Sequence, residues 1–343
     1  MEQPLLRLGL LGFPDEVGLR LQAWASEVHE GWPLWQCCDP HLADAWMING
    51  AAVEVLGRDE LVIVHPYGGG ERLTLHRAEV DRPLAFAQPL PEGFASAEFF
   101  DASDERSVRQ RLQRFEAWLR PLRSQFALGA AVAGRRDSLS GVVHVVNDGK
   151  LLAVLDFGRW QAGISVPARP GELSMAEWVT QPGPVADIPT SFIRLPLHRM
   201  MWIYAVRTST DVLPERYRTQ SIYLRRVPMV PARWFGPEHL VLMQALSEKP
   251  ATFDELVDRI ELAPAELARH LAALFHAGGL TTDPESARRA ERHTRRSMNQ
   301  LDLDEDETDS DLKNRIRSSD QAVPTTILRE ARHSPLRVSG QGR

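Results

Sequence analysis

Residues 237–279 carry the strongest local signals in the chain, because three apolar helical stretches lie close together with explicit start and stop residues. Thr252 and Glu255 have the spacing of a capping box, in which each side chain binds a free backbone amide at the helix start. The third stretch begins at Pro264 and is followed by Gly278, residues that favour a helix start and a helix end. We therefore predict helices over residues 237–247, 252–260 and 264–277.

A hairpin is predicted upstream, where Asp148 and Gly149 separate two apolar runs. An Asp-Gly turn supplies the positive φ angles that tight hairpins require. These signals predict an α+β middle domain over residues 129–232. Its predicted strands cover residues 142–146, 151–155, 161–166 and 220–225, and its predicted helices cover residues 174–180 and 197–206.

The first 100 residues alternate short apolar runs with amphipathic stretches. Strands separated by helices favour a parallel sheet, so we predict a small α/β domain over residues 1–100. The predicted strands cover residues 6–13, 34–38, 61–64, 72–75 and 84–87, and the predicted helices cover residues 16–28 and 42–52.

A connector is predicted over residues 101–128, where Ser103 or Asp104 can cap one helix that runs to about Gln125. Its apolar side chains recur on one face, which can dock on a neighbouring domain or pair with itself in a dimer. After the last predicted domain, residues 285–343 contain a basic stretch and then an acidic stretch, with few apolar side chains. This composition predicts a charged, largely disordered tail.

Composition narrows the classes of function. The formal net charge is -6, with 40 basic against 46 acidic residues, which disfavours a general polyanion binder. The two cysteines, Cys37 and Cys38, are adjacent and offer no disulfide framework. No apolar run approaches the roughly 20 residues that cross a bilayer, so we expect no membrane partner. The lack of a disulfide framework favours a cytoplasmic protein, and the small share of lysine, three of the 40 basic residues, suggests a bacterial one.

The predicted fold class is thus α/β plus α+β in a multidomain chain, closed by a three-helix domain over residues 233–284. That domain resembles the winged-helix family through the sequence FDEL at residues 253–256, ELARHLAAL at residues 266–274, and Gly279-Leu280. The resemblance implies a third helix that enters the DNA major groove. On its reading face it places Glu266, Arg269, His270 and Ala273.

Two roles for this domain stay open. Between residues 236 and 283 there are eight acidic and three basic residues, a balance that repels phosphates and favours contact with a protein partner. DNA binding is the alternative, and a run of arginines could supply the phosphate contacts. These arginines are Arg288, Arg289, Arg292, Arg295 and Arg296.

The N-terminal domain resembles a response-regulator receiver through the strand at residues 6–13, the acidic pair Asp15-Glu16, and the sequence FAQPL at residues 86–90. A receiver accepts phosphate on a carboxylate after its third strand and uses a lysine before the late proline. This chain offers His65 and Gln88, so the resemblance implies a degenerate, binding version of that domain.

The middle domain offers two further candidates. Arg135, Arg136 and Arg159 could form an anion or ligand site. His144, Asp156 and His198 would be the groups of an enzyme site. We predict no cofactor and no metal, since Cys37, Cys38, Asp39 and His41 lack the spacing of zinc ligands.

From these patterns we predict a regulatory or signalling protein without enzymatic activity, acting through protein contacts of its middle and winged-helix-like domains. A DNA-binding transcription regulator is the first alternative. An enzyme or small-anion binder with a site in the middle domain is the second. Oligomeric state is not encoded in any pattern we find.

Overall fold

The computed structural model of the 343-residue chain describes residues 2–28, 31–57, 60–64, 72–76, 78–92, 94, 96, 98–135, 139–183 and 187–290. The chain divides into two compact units, Met1–Arg288 and Arg289–Arg343. Of the second unit only Arg289 and Ala290 are described. The predicted tail therefore lies almost entirely outside the described residues.

The first unit has a mixed α/β architecture. Its helices are α1 (Asp15–Ala25), α2 (Glu105–Trp118), α3 (Arg120–Gly134), α4 (Pro170–Met175), α5 (Leu197–Arg207), α6 (Arg216–Thr219), α7 (Pro237–Glu248), α8 (Phe253–Arg259) and α9 (Pro264–His276). Its strands are β1 (Leu5–Leu11), β2 (Leu34–Cys37), β3 (Ala45–Asn49), β4 (Val53–Val55), β5 (Glu60–Val64), β6 (Arg72–His76), β7 (Leu84–Ala87), β8 (Phe99–Phe100), β9 (Val142–Asn147), β10 (Lys150–Asp156), β11 (Gln161–Ser165), β12 (Glu177–Gln181), β13 (Phe192–Pro196), β14 (Tyr223–Leu224) and β15 (Leu280–Thr281).

The predicted N-terminal parallel sheet is present, with the strand order β2-β1-β3-β7-β8. This is the flavodoxin-like order of doubly wound sheets. The predicted helix over residues 42–52 is wrong, because β3 is the central strand of this sheet. Met47 packs against the helices α1 and α2, while Trp46 and Ile48 pack against the opposite layer. A strand buried on both faces is apolar throughout, and its run resembles a buried helix in sequence.

The strand predicted over residues 61–64 exists but belongs to a second sheet. It forms β5 in the antiparallel order β4-β5-β6, which covers the face of the parallel sheet opposite α1 and α2. The third strand of the parallel sheet consequently ends at Asn49, whose Nδ2 donates to the carbonyl of Gly12 over 2.8 Å.

The connector is two helices rather than one. The side chain of Asp104 caps α2 by accepting from the amide of Arg106, as predicted. Helix α2 ends at Trp118 and α3 starts afresh with Pro121 in its first turn, because proline lacks an amide hydrogen for the preceding turn. Val108, Leu112 and Phe115 dock on the parallel sheet, which accounts for the apolar seam.

The middle sheet is antiparallel, in the order β12-β9-β10-β11-β13. The predicted hairpin is confirmed, since Asp148 and Gly149 have φ angles of 47° and 73° between β9 and β10. The predicted helix over residues 174–180 is wrong. The helix α4 ends at Met175, and Trp178 lies in β12, which pairs with β9 and so extends the sheet.

Helix α5 is buried on nearly all sides and connects the cores of the unit. Met200 and Tyr204 pack with α3 against the middle sheet, while Trp202 and Ala205 pack against the C-terminal helices. A helix that is apolar all round is stable only inside a larger structure. Gly129 of α3 permits its close approach, because a Cβ there would lie 2.8 Å from the Cβ of Tyr204.

The three predicted C-terminal helices are confirmed as α7, α8 and α9. Thr252 and Glu255 form the predicted capping box, with the two hydrogen bonds at 3.3 and 2.8 Å. Gly278 ends α9 with a φ of 77°. A small sheet closes the group, in which β14 pairs with β15 and Ile222 bridges to Ala251.

No helix within the described ranges combines the length and the apolar character needed to span a bilayer. The predicted division into separate domains stays a prediction.

Candidate functional site: a cleft between β1, α5 and the C-terminal helices

A cleft of about 490 Å³ opens where the parallel sheet, α5 and the C-terminal helices meet. We call it the junction cleft. Its walls include residues from every one of these regions, and the polar ones used below are Arg7, Asp44, Arg82, Arg207, His239 and His270. A cleft of this size is within the range of about 300 to 1,000 Å³ in which small molecules bind.

A bidentate ion pair forms the floor of the junction cleft. Both carboxylate oxygens of Asp44 accept from the guanidinium of Arg207 over 2.6 Å, and each side chain is 9% exposed. Arg207 also donates to the carbonyl of Leu5 over 3.0 Å, and the amide of Arg7 donates to Asp44 over 2.9 Å. The two charges therefore neutralise each other. The pair joins α5 to the amino-terminal ends of β1 and β3 in the parallel sheet.

Arg7 lines the same cleft but, unlike Arg207, has no ion-pair partner among the described residues. Within the described part of the chain, its guanidinium has neither a carboxylate in ion-pair contact nor a carbonyl that accepts from it. Burial, reinforced by the positive charge of Arg207, lowers the pKa of Arg7 below its ordinary value. The nearby carboxylate of Asp44 acts in the other direction but already has both oxygens bound to Arg207. Arg7 is thus a partly desolvated cation without a committed partner.

Two histidines form an ordered chain of hydrogen bonds beside Arg7. The amide of Gly236 donates to Nδ1 of His239 over 3.1 Å, and Nε2 of His239 lies 3.1 Å from Nδ1 of His270. Since the amide can only donate, His239 is protonated on Nε2, which then donates to His270. The Nε2–H of His270 remains as a donor that no described residue accepts. The chain ends in a donor at the wall of the cleft.

Burial sets the charge state of this pair. It lowers the pKa of His239 from 6.5 to about 3, and the charges of His270 and Arg7 act in the same direction. Burial also lowers the pKa of His270, although Glu238 opposes this effect. Both rings are neutral at pH 7, so His270 serves as a neutral hydrogen-bond donor next to the positive charge of Arg7.

The remaining arginine of the cleft, Arg82, already has a carboxylate partner. Arg82 pairs with Asp81 over 3.0 Å, donates to the carbonyls of Pro40 and Ala43, and lies over the ring of Trp46 at 4.6 Å. Each of the other two arginines in the lining thus has a carboxylate, and Arg7 alone does not. Glu238 also lines the cleft but forms no ion pair with Arg7 in the described structure.

The thiols do not suggest reactive or metal-binding chemistry. Cys37 and Cys38 are free, and burial raises the pKa of each to about 11, so both are protonated at pH 7. Across the described residues, no group of three or more histidine, cysteine, aspartate or glutamate side chains could hold a metal ion.

The predicted reading face of α9 is largely covered. Glu266 and Arg269 are exposed, but His270 is half-buried in the junction cleft. The expectation that Ala273 is exposed is wrong, because it is 0% exposed. All side chains from residue 271 to residue 275 are buried, and α5 and the other C-terminal helices pack against α9. Only the first turns of α9 are accessible.

The arginine run is only partly described. Arg288 is exposed and pairs with Glu285 over 2.7 Å, and Arg289 is exposed as well. Arg292, Arg295 and Arg296 lie outside the described residues.

The candidate anion site in the middle domain is not assembled by the described residues. Arg135 ends α3 and lies over the ring of Trp178 in β12, at 5.0 Å. Arg159 is exposed in the turn between β10 and β11, two strands away from β12. Arg136 lies outside the described residues.

The groups of the candidate enzyme site lie on different sides of the middle sheet. His144 and Asp156 project from the face that carries Val142 and Val154, as the strand alternation requires. His198 belongs to α5, which packs on the opposite face, and its Nε2 contacts the carbonyl of Met229. The sheet therefore separates His198 from the other two groups.

Of the polar residues of the junction cleft used above, the sequence predicts a role only for His270, which it places on a DNA-reading face. The helices predicted over residues 42–52 and 237–247 include Asp44 and His239, and the strand predicted over residues 6–13 includes Arg7, but the sequence assigns none of the three to a site. A charged residue between buried positions of a strand was the available signal for Arg7. Its neighbours come from residues 44, 207 and 270, and nothing in their spacing along the chain links them.

No model of a known protein family, no curated protein and no solved structure matches this chain.

Proposed function

We propose that this chain is a regulatory protein without catalytic activity, which binds a small anion in the junction cleft and passes the effect on through protein contacts. The observation that carries the proposal is the uncommitted guanidinium of Arg7 in a cleft of ligand size. A desolvated charge without a partner is costly, and such groups persist where a ligand supplies the counter-charge.

The donors in the cleft favour a carboxylate or phosphate group as the ligand's anion. A guanidinium presents two parallel N–H groups that match the oxygens of either anion. The Nε2–H of His270 adds a neutral donor from a different helix. An anion between them would contact β1 and α9 together.

The position of the cleft supports a regulatory role. Arg7 comes from the parallel sheet, Arg207 from α5, and His270 from the C-terminal helices, so the ligand touches the regions whose cores α5 connects. A ligand changes a conformational equilibrium when it contacts one arrangement of such regions better than another. The absence of an assembled catalytic group in the described middle sheet fits a protein that senses rather than converts its ligand.

We also propose each of the two family resemblances in a narrower form. The flavodoxin-like strand order supports a receiver-like N-terminal region, and Asn49 at the end of its third strand supplies an amide instead of a phosphate-accepting carboxylate. The helices α7 to α9 support a winged-helix-like region that contacts protein. Residues 271–275 of α9 are buried, so DNA contact is assigned to the arginine run if it occurs.

Thermal unfolding of the full-length protein in a panel of anions tests the proposal. Chloride, acetate, inorganic phosphate and pyrophosphate would be compared at one ionic strength. A ligand at 100 times its Kd stabilises the folded state by about 2.7 kcal/mol, so at least one carboxylate or phosphate should raise the Tm above the chloride value.

Two variants locate the effect. Arg7→Gln removes the proposed anchor and should abolish the rise in Tm. Arg159→Gln removes an exposed arginine of the middle domain and should leave the rise intact. A panel in which no anion exceeds chloride would overturn the proposal, as would an Arg7→Gln variant that responds like the wild type.

A further inference from the structure

A second cavity, of about 320 Å³, lies between α1, β2 and α2, on the side of the parallel sheet that these helices cover. We call it the tryptophan cavity, because Trp24, Trp32 and Trp35 all line it. Trp35 is 2% exposed and Trp32 is 44% exposed, so the rings extend from the core to the surface. Three indole rings thus contribute to the lining of one small cavity.

The wall of the tryptophan cavity also contains a buried carboxylate, that of Glu116, which is 8% exposed. Its Oε1 accepts from Nε1 of Trp35 over 3.2 Å. The nearest cation is Arg123, whose Nη1 lies 3.9 Å from Oε2, beyond hydrogen-bond distance. Burial raises the pKa of Glu116, although the hydrogen bond from Trp35 and the charge of Arg123 oppose this effect.

The one arginine of the lining does not supply that compensation. Arg109 donates to Glu105 over 2.5 Å and forms a second ion pair with Glu27. Its charge is therefore matched by two carboxylates other than Glu116, one of which, Glu27, also lines the cavity. The face of Trp24 already carries a cation in the structure, since Arg20 lies 5.5 Å from the ring centroid.

We propose that the tryptophan cavity binds a small organic cation, an alkylammonium group held by the indole rings and by the carboxylate of Glu116. Indole is the aromatic ring that attracts cations most strongly, and the attraction grows when the cation is removed from water. A neutral apolar ligand would add no positive charge next to Glu116, whose only ion-pair partner among the described residues, Arg123, lies 3.9 Å away. This site is separate from the junction cleft, and its ligand has the opposite charge.

Choline and 3,3-dimethyl-1-butanol form a matched pair of probes, because the alcohol has the shape of choline without the charge. Titration calorimetry on the full-length protein should show saturable binding of choline with a stoichiometry of one. The alcohol should bind at least 10-fold more weakly. Equal binding of the two probes, or no binding of choline, would overturn the proposal.

Variants test the two components of the site. Glu116→Gln keeps the size of the side chain and should weaken choline binding at least 10-fold. The control Glu16→Gln removes an exposed carboxylate of α1 that does not line the cavity, and it should change the Kd less than twofold. Trp32→Ala provides a second test at an exposed position if Glu116→Gln does not fold. Unchanged choline affinity in Glu116→Gln, or in Trp32→Ala, would contradict the assignment.

Discussion

The junction cleft and the tryptophan cavity each combine ion pairs with one less well paired charge, which is positive in the cleft and negative in the cavity. The cleft combines the committed pair of Asp44 and Arg207 with the uncommitted cation of Arg7. The cavity combines the ion pairs of Arg109 with the carboxylate of Glu116, which lies 3.9 Å from Arg123, beyond hydrogen-bond distance. The paired charges hold elements of the fold together. The less well paired charges, Arg7 in the cleft and Glu116 in the cavity, determine which ligand each of them accepts. Substitutions should therefore have different effects on the two kinds of charge.

Asp44→Ala should have the largest effect, because it leaves the guanidinium of Arg207 buried without its carboxylate. Removal of one member of a buried pair costs about 3–5 kcal/mol of the free energy of unfolding. Urea unfolding of the variant and the wild type at pH 7.5 measures this loss.

Two controls bracket that result. The double variant Asp44→Leu with Arg207→Met should recover most of the stability, since it removes both charges and fills the space. Glu285→Ala, which breaks an exposed pair with Arg288, should cost less than about 1 kcal/mol. A loss in Asp44→Ala as small as that in Glu285→Ala would show that the pair does not hold α5 to the sheet.

Acid should destabilise the protein through His239. Its pKa of about 3 in the folded state lies below the unfolded value near 6.5, so the unfolded chain takes up a proton that the folded chain excludes. The stability present above pH 6.5 is lost as the pH falls from there towards 3. Between pH 7.5 and 5.5, His239 alone accounts for a loss of about 1.4 kcal/mol.

Urea unfolding at the two pH values in wild type and His239→Asn checks this effect. The asparagine Oδ1 can still accept a hydrogen bond from the amide of Gly236. The variant therefore removes the titratable ring but keeps this hydrogen bond. Its pH dependence should be smaller by about 1.4 kcal/mol. An identical pH dependence in both proteins would refute the role of His239.

Arg7→Gln should have the smallest effect on stability in the absence of ligand, between no change and a gain of about 1 kcal/mol. It removes a partly desolvated charge that has no carboxylate, and sites kept for function often cost stability. Arg207→Gln is the matched comparison and should lose several kcal/mol. The distinction between the two arginines fails if the variants lose stability equally in urea unfolding.

The elements that the sequence predicted well have local signals. The helices α7 to α9 are marked by Thr252, Glu255, Pro264 and Gly278, and the β9–β10 hairpin by Asp148, all of which act within a few residues. The strand β3 was mistaken for a helix because both of its faces are buried, so it lacks the alternation that identifies strands. Its true partners, β1 and β7, are far away in the chain.

The candidate sites were harder to predict for the same reason. The sequence suggested arginines that lie close together in the chain, such as Arg135 and Arg136, whereas the junction cleft joins Arg7 to residues as distant as Arg207 and His270. The availability of Arg7 depends on the fact that Asp44 is occupied by Arg207. Such a relation exists only in the folded chain.

The most direct test of the uncommitted charge at Arg7 is hydrogen–deuterium exchange of the full-length protein, with and without the anion that raises the Tm most. We expect slower exchange in peptides from β1 and α9, which contain Arg7 and His270. Protection confined to the turn around Arg159, or no change in any peptide, would contradict this expectation.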